Sequence, residues 1–223
     1  MKKIEFSGNF DAILCLDGSF PGVDLFDHLK GIPVIAADGA AIHLMEYNIE
    51  FEKVIGDLDT LRQKGWIDKI PAQKKVFLPN QDANDFDKAL NYADKNGMKR
   101  ILITGMHGGE LEHTLNNWSV FMRYAAYLNL CLYESGRYGI PLFESTALDI
   151  IKDEMISLIP QPSAIVTTKG LKWELENEAL ELGYREGARN TASNDRIEIE
   201  IHSGSILLFI DSRLPKSVGY KSL

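Results

Sequence analysis

Two carboxylates stand one residue apart in the run Val54-Ile55-Gly56-Asp57-Leu58-Asp59-Thr60. Side chains alternate faces along extended backbone, so Asp57 and Asp59 are expected to point the same way while Leu58 points into the core. Like charges that close repel unless a cation lies between them. Carboxylate oxygens suit hard ions such as Mg2+, which is commonly held by one or two carboxylates and the phosphates of a substrate. A helix cap followed by a turn would use the same residues, because Asp is a good cap. Three other stretches carry comparable chemistry: Ala37-Asp38-Gly39, Asn80-Gln81-Asp82-Ala83-Asn84-Asp85-Phe86 and Gly105-Met106-His107-Gly108-Gly109. Gly105, Gly108 and Gly109 would let backbone N–H groups approach phosphates just ahead of a helix N-terminus, where the helix dipole favours anions. A turn that needs positive φ is the alternative use of such glycines. No Gly-Lys-Ser/Thr follows, so the loop is not a Walker A loop. Asp38 and Asp85 taken singly are ordinary helix caps or first-turn acids, but with Asp57 and Asp59 they place four acids at one edge, more than capping requires.

The elements that must position these residues follow from the apolar periodicity. Residues 11–16, 33–37, 53–55, 74–78 and 100–104 read as short apolar strands, with Asp17-Gly18-Ser19 as a turn. Helical patterns fall between them at residues 23–29 and 40–47. Asn84 caps a further helix carrying Phe86, Leu90 and Ala93, which Asn96-Gly97 stops. A long helix after the glycine turn shows Leu111, Leu115, Trp118, Met122 and Ala125 at helical spacing, the expected buried face. Alternating strands and helices imply a mainly parallel sheet with helices on both faces, a Rossmann-like three-layer α/β unit. In such a sheet the ligand crevice lies outside the carboxyl ends of the strands, and all four motifs fall at such ends.

Beyond Gly136 and Gly139, read as flanking a polar link, β-type runs dominate. Residues 163–168 form one. Ile197, Ile199 and Ile201 alternate with Glu198, Glu200 and His202, and residues 205–210 are expected to return after Ser203-Gly204. The expected organisation is an α/β catalytic domain at residues 1–135, binding nucleotide and metal, followed by a small all-β sandwich at residues 136–223.

A chain of 223 residues with 45% hydrophobic and 25% charged residues has enough apolar sequence for either one large core or two small ones. Its net charge of −8 argues against non-specific nucleic-acid binding and suits anionic substrates met through a metal. Cys15 and Cys131 sit in apolar runs and read as buried free thiols. No run has the length of a membrane span and Lys2-Lys3 is not followed by an apolar stretch, so the expected location is cytoplasmic, without a membrane partner.

The motifs come in an order that resembles the thiamin pyrophosphokinase family, which transfers a pyrophosphoryl group from ATP to thiamin. Ala37-Asp38-Gly39 is similar to the family's Ala-Asp-Gly-Gly, and residues 55–60 to Ile-Gly-Asp-Phe-Asp-Ser. Residues 81–88 are similar to Gln-Asp-x-Thr-Asp-Phe-x-Lys. Gly108-Gly109-Glu110-Leu111-Glu112-His113 with Asn117 looks like Gly-Gly-Arg-x-Asp-His and its downstream Asn. Gly170-Leu171-Lys172-Trp173 and Thr191-Ala192-Ser193-Asn194 resemble Gly-Leu-Lys-Trp and Ser-Thr-Ser-Asn. The resemblance implies Mg2+ on Asp38, Asp57, Asp59 and Asp85, with Asp57, Asp59 and Asp85 as the catalytic acids. It implies ATP as co-substrate near Gly105, Gly108, Gly109, Asn84, Lys88 and His113, and thiamin at Gln81. It implies a homodimer in which Thr191, Ser193 and Asn194 approach thiamin from the other subunit, with Trp173 as a stacking or an interface residue. This chain departs from the pattern at Glu110, where the family has Arg, and at Ile42-His43, where it has Asn-Arg. Two guanidiniums are thus lost, and Glu110 is expected to repel the triphosphate. A metal-dependent glycosyltransferase also uses Asp-x-Asp after a strand, but leaves the later motifs unused. A thiamin or nucleotide binder without catalysis is the reading that the missing arginines suggest.

Overall fold

The computed structural model describes residues 1–222 and divides into two units, Asn9–Leu130 and Met1–Gly8 with the chain from Cys131 onward. The opening strand, β1 (Lys2–Phe6), belongs to the second unit. The expected boundary between residues 135 and 136 falls at a two-residue hairpin turn, Ser135-Gly136, where both residues have positive φ.

The first unit is a parallel sheet because its strands are apolar through and through. β2 (Ala12–Cys15) and β3 (Val34–Ala37) are buried along their whole length. β4 (Lys53–Gly56) and β6 (Arg100–Thr104) are buried beyond their first residue, and β5 (Lys75–Phe77) forms the edge. The hydrogen-bonded order is β6-β2-β3-β4-β5, all parallel. The chain works outward from β2 to β5 and then crosses back to lay β6 on the other side of β2. That reversal opens a crevice beyond the carboxyl ends of the strands.

The connecting helices are α1 (Val23–His28), α2 (Ala40–Glu46), α3 (Asp59–Gln63), α4 (Asp85–Lys95) and α5 (Leu111–Ala125). The N-cap of α4 is Asn84, whose side chain accepts the Asp87 N–H at 2.9 Å, and Gly97 follows its end at φ 78°. α4 packs on β3 and β4 and against α5. The buried face of α5 is only partly the expected one, with Trp118, Met122 and Ala125 half-buried. Val120, Phe121 and Tyr124 are buried, whereas Leu111 and Leu115 are 68% and 61% exposed. α5 meets α4 through Asn117 at its middle and Arg123 and Tyr124 in its last turns, while Leu111 and Leu115 in its first turns stay exposed.

The second unit is β-rich. β7 (Asn129–Glu134) and β8 (Arg137–Leu142) form the hairpin around Ser135-Gly136. Gly139 is therefore a strand residue rather than part of a link, and its missing side chain leaves room for Phe209 and Leu132. β9 (Thr146–Asp149), β10 (Met155–Lys169), β11 (Glu178–Glu181), β12 (Gly187–Thr191), β13 (Arg196–Asp211) and β14 (Val218–Ser222) complete it. The order is β14-β1-β9-β13-β8-β7, and β10 pairs with β11, β12 and β13. β13 overturns the expected return at Ser203-Gly204, because residues 196–211 are one strand. Its register against β10 shifts between Val166–Ile201 and Ile165–Ser203, a bulge. Gly204, at φ 76°, absorbs that bulge where a Cβ would lie 2.0 Å from the Ser163 carbonyl oxygen.

Among the ion pairs inside this unit, one is buried deepest. Glu154, its side chain 1% exposed, holds Arg213 at 2.6 Å and accepts the Asp211 N–H at 2.8 Å. Removing one partner of a buried pair leaves an uncompensated charge, so Glu154→Ala is expected to cost about 3–5 kcal/mol in urea unfolding. The double variant with Arg213→Ala should recover part of that loss. A cost for Glu154→Ala below about 1 kcal/mol, the value of a solvent-screened pair, would contradict this assignment.

Candidate active site

Three of the four strand-end motifs of the first unit, those around Asp38, Asp57 and Asp85, converge on a cavity of about 580 Å3 lined by Asp17, Asp38, Asp57, Gln81, Asn84, Asp85, Lys88, His113 and Asn117, among others. Its floor is a carboxylate cluster. Asp38, Asp57 and Asp85 each offer an oxygen within 4.8 Å of the other two. The turns that end neighbouring strands hold these acids in place. Asp38 Oδ2 accepts the Thr60 N–H at 3.0 Å, Asp85 Oδ1 the Asp57 N–H at 3.3 Å, and Asp57 Oδ1 the Asp59 N–H at 3.2 Å. Gly56 makes the approach of Asp85 possible, since a Cβ there would sit 2.7 Å from Asp85 Oδ1. Asp38 is 4% exposed, and its Oδ1 is buried without a hydrogen-bond partner. A buried carboxylate oxygen in that state is costly unless a cation or another donor meets it.

Lys88 supplies the counter-charge. It is 6% exposed, with its ammonium 3.0 Å from Asp85 Oδ1 and 3.8 Å from Asp57 Oδ2. Three ionised carboxylates against one ammonium leave a net charge suited to one divalent cation. The acids are not equivalent. Burial pushes the Asp57 carboxyl up, but the Gln81 amide at 2.9 Å, the Asp59 N–H, Lys88 and Arg62 outweigh it, holding Asp57 below the usual carboxylate value. Burial also pushes Asp85 up. There Lys88 opposes the shift, the charges of Asp57 and Asp38 add to it, and the net result stays above the usual value.

Asp59 is not in the cluster. Leu58 takes a left-handed conformation at φ 59°, which ends the extended chain and starts α3 at Asp59. Leu58 is buried as expected, but the alternation that would align the two acids is broken. Asp59, its side chain 58% exposed, pairs instead with Arg62 at 2.8 Å.

The remaining site residues fall into three groups. Asn84 and Lys88 line the cavity, and Asn84 donates to Asn117 Oδ1 at 3.0 Å. His113 lines it too, but is 76% exposed and lies 3.4 Å from Glu110, whose carboxylate is 71% exposed and outside the lining. Gly105, Gly108 and Gly109 do not line the cavity. Gly105 packs on the Leu16 carbonyl and Gly108 on Ser19, while Gly109 is open at φ 78°. Their loop is tied to the loop after β2 by Gly18 N–H to Gly105 O at 3.1 Å and Ser19 N–H to His107 O at 2.7 Å. Trp173, Thr191, Ser193 and Asn194 belong to the second unit. There the two late motifs are adjacent, with Lys172 N–H on Thr191 O and Ser193 N–H on Gly170 O, both at 2.8 Å.

Sequence reasoning passed over Asp17, which it read only as a turn. Asp17 follows β2 as Asp38 follows β3, so the strand-end rule would have found it. It lines the cavity and lies 3.3 Å from His43, and burial pushes its carboxyl up against the pull of Lys64 and His43.

An α/β unit with a partly buried, cation-ready carboxylate cluster at the carboxyl edge of its sheet is the class of protein that this geometry defines. Comparison narrows the class. Residues 30–132 match the model of the thiamin pyrophosphokinase catalytic domain, and residues 145–206 that of the thiamin pyrophosphokinase vitamin B1 binding domain. The chain belongs to the thiamin pyrophosphokinase family. It is 28% identical over 192 residues to thiamin pyrophosphokinase 1 of Caenorhabditis elegans, covering 78% of this chain and 76% of that one. It is 27% identical over 208 residues to thiamine pyrophosphokinase 1 of Oryza sativa subsp. japonica, covering 86% and 76%. The fold is that of thiamin pyrophosphokinase from Geobacillus thermodenitrificans (TM-score 0.75, 18% identity, 90% of this chain and 97% of that one). It is also that of the yeast enzyme (TM-score 0.74, 18% identity, 92% and 87%).

The geometry orders the acids. Asp38→Asn, Asp57→Asn and Asp85→Asn are each expected to lower turnover by about 100-fold or more, and Asp59→Asn by less than about tenfold. Equal losses at Asp57 and Asp59 would show that Asp59 leaves Arg62 when ligands bind. Because the folded chain holds Asp57 below the carboxylate value of 3.8, its charge stabilises the fold above that pH and loses this effect below it. Metal-free Asp57→Asn should therefore melt below wild type at pH 7, with the gap closing as pH falls under 3.8. A gap that widens on acidification would contradict the assigned shift.

Proposed function

We propose that this chain is a Mg2+-dependent thiamin pyrophosphokinase, joining the thiamin hydroxyl to the β-phosphorus of ATP. The bond between the β-phosphorus and the oxygen leading to the α-phosphate breaks, giving thiamin diphosphate and AMP. The observation that carries the reading is the buried, unpartnered Asp38 Oδ1 beside Asp57 and Asp85. These three carboxylates would hold the metal, and Asp59 joins them only by family resemblance. Bound there, Mg2+ would neutralise triphosphate charge and fix its orientation.

Each neighbouring residue has a definite task in this reading. Lys88 keeps Asp85 and Asp57 from repelling one another before substrates arrive, and stays as a positive charge beside the phosphates. Gln81 donates to Asp57 Oδ2, fixing one carboxylate at the edge where the resemblance places the acceptor. Asn84 and Asn117 hold the amino end of α4 against α5, so the cavity wall is set before binding. Glu110 lies outside the cavity lining, its exposed carboxylate 3.4 Å from His113, so in this reading it need not face the triphosphate directly.

The finer parts of the proposal concern assembly and location. A homodimer would bring Thr191 and Asn194 of one subunit to thiamin held by the other; sedimentation at the 25.0 kDa mass of a single chain would refute it. A cytoplasmic location agrees with two buried free thiols, and cell fractionation tests it.

The activity itself is read from the nucleotide product. Pure protein with thiamin, ATP and Mg2+ should yield thiamin diphosphate and AMP in equal amounts, and chelation of the metal should stop the reaction. ADP with thiamin monophosphate would mean transfer of a single phosphoryl group and overturn the proposal.

A further inference from the structure

The second unit contains a buried amide that neither motif includes. Asn190 is 8% exposed and lies between the two late motifs. Its Oδ1 accepts the Trp173 N–H at 3.2 Å and the Thr191 N–H at 2.8 Å, and its Nδ2 donates to the Trp173 carbonyl at 2.8 Å. One side chain thus holds both backbone polar groups of Trp173 and joins them to Thr191. The surrounding bonds are all backbone-directed. Lys172 and Ser193 bond across to Thr191 and Gly170, and Leu171 bridges Ala192. Glu174 closes the turn by accepting the Gly170 N–H at 2.8 Å and the Leu171 N–H at 3.3 Å.

From this cross-linked corner emerge an indole that is 57% exposed, the exposed side chains of Ser193 and Asn194, and the half-buried Thr191. The Lys172 ammonium lies over the Trp173 ring, 4.7 Å from its centroid. A flat heterocycle with hydrogen-bonding edges is the chemistry that an exposed indole beside hydroxyl and amide groups recognises. Its affinity depends on the indole and the polar groups keeping one spacing.

We propose that Asn190 is a positioning residue for the acceptor, setting Trp173 against Thr191 through its buried amide. The proposal rests on the thiamin reading above and adds a residue that touches neither substrate nor phosphate. A buried amide with three of its bonds satisfied holds that spacing before binding. Removing it frees the corner while leaving the carboxylate cluster of the first unit unaltered.

The test is steady-state kinetics on the full chain, varying thiamin and ATP separately. Asn190→Ala should raise the KM for thiamin by about tenfold or more, while kcat and the KM for ATP stay within about twofold. Introduced into Trp173→Ala, the same substitution should raise the thiamin KM by less than about twofold, because its effect runs through the indole. If Asn190→Ala does not stay folded at the assay temperature, Asn190→Ser is expected to shift the same ratio in the same direction. Equal rises in both KM values would overturn the proposal. So would full additivity with Trp173→Ala, or a lowered melting temperature with an unchanged thiamin KM. Absence of wild-type turnover would overturn the activity and this proposal with it, whereas wild-type turnover with an unshifted ratio overturns this proposal alone.

Discussion

Repulsion among three carboxylates at the end of a parallel sheet is the constraint on which the first unit depends. Asp38, Asp57 and Asp85 come from three strand-end segments, and a sheet edge that gathers them, with Asp38 buried, must offset their charge. Part of the offset is Lys88, one turn into α4 from Asp85, with its ammonium withdrawn from water. Backbone N–H groups of Asp57, Asp59 and Thr60 supply another part, each available because a turn follows β4 directly. What is left unsatisfied is Asp38 Oδ1. The fold therefore holds a charge deficit at one place, beside a cavity large enough for a substrate. Function follows from that residue of incomplete neutralisation.

The two units divide the work along lines set by their secondary structure. Parallel strands bring many chain turns to one edge, which is what gathers acids from distant stretches. The β-rich unit has long antiparallel strands instead, and its contribution is a corner where residues 170–174 and 190–194 are bonded face to face. A buried side-chain amide stiffens that corner, and two buried carboxylate bonds tie the base of β10 to β13 through Glu154. Rigid placement of a few polar groups is the shared physical theme.

Much of this was legible in the chain. Apolar runs marked β2, β3, β4 and β6, and Asn84 with Asn96-Gly97 marked both ends of α4, because capping and strand burial are local effects. Three features were not local. The Asp57-Leu58-Asp59 alternation fails because Leu58 is left-handed, so burying Leu58 and turning the chain outweighed strand geometry. The apolar stripe of α5 holds only in its second half, because Leu111 and Leu115 stay exposed while Val120, Phe121 and Tyr124 take the deepest positions, which no helical period reveals. β13 continues through Ser203-Gly204 because a glycine serves a bulge as readily as a turn, and the choice depends on β10 alongside. Asp17 and Asn190 were missed for opposite reasons. Asp17 obeyed a rule already in use, whereas Asn190 gains its role from contacts that no spacing announces.

The central claim is that Asp38, Asp57 and Asp85 together bind one divalent cation. Mn2+ titrated into the protein with a non-hydrolysable ATP analogue, and followed by electron paramagnetic resonance, reads that binding without any need for turnover. Saturable Mn2+ binding is expected in the wild type and is abolished by Asp38→Asn, the substitution that removes the charge of the carboxylate with the unpartnered oxygen. Wild-type Mn2+ binding that survives Asp38→Asn undiminished would place the cation elsewhere and contradict the account.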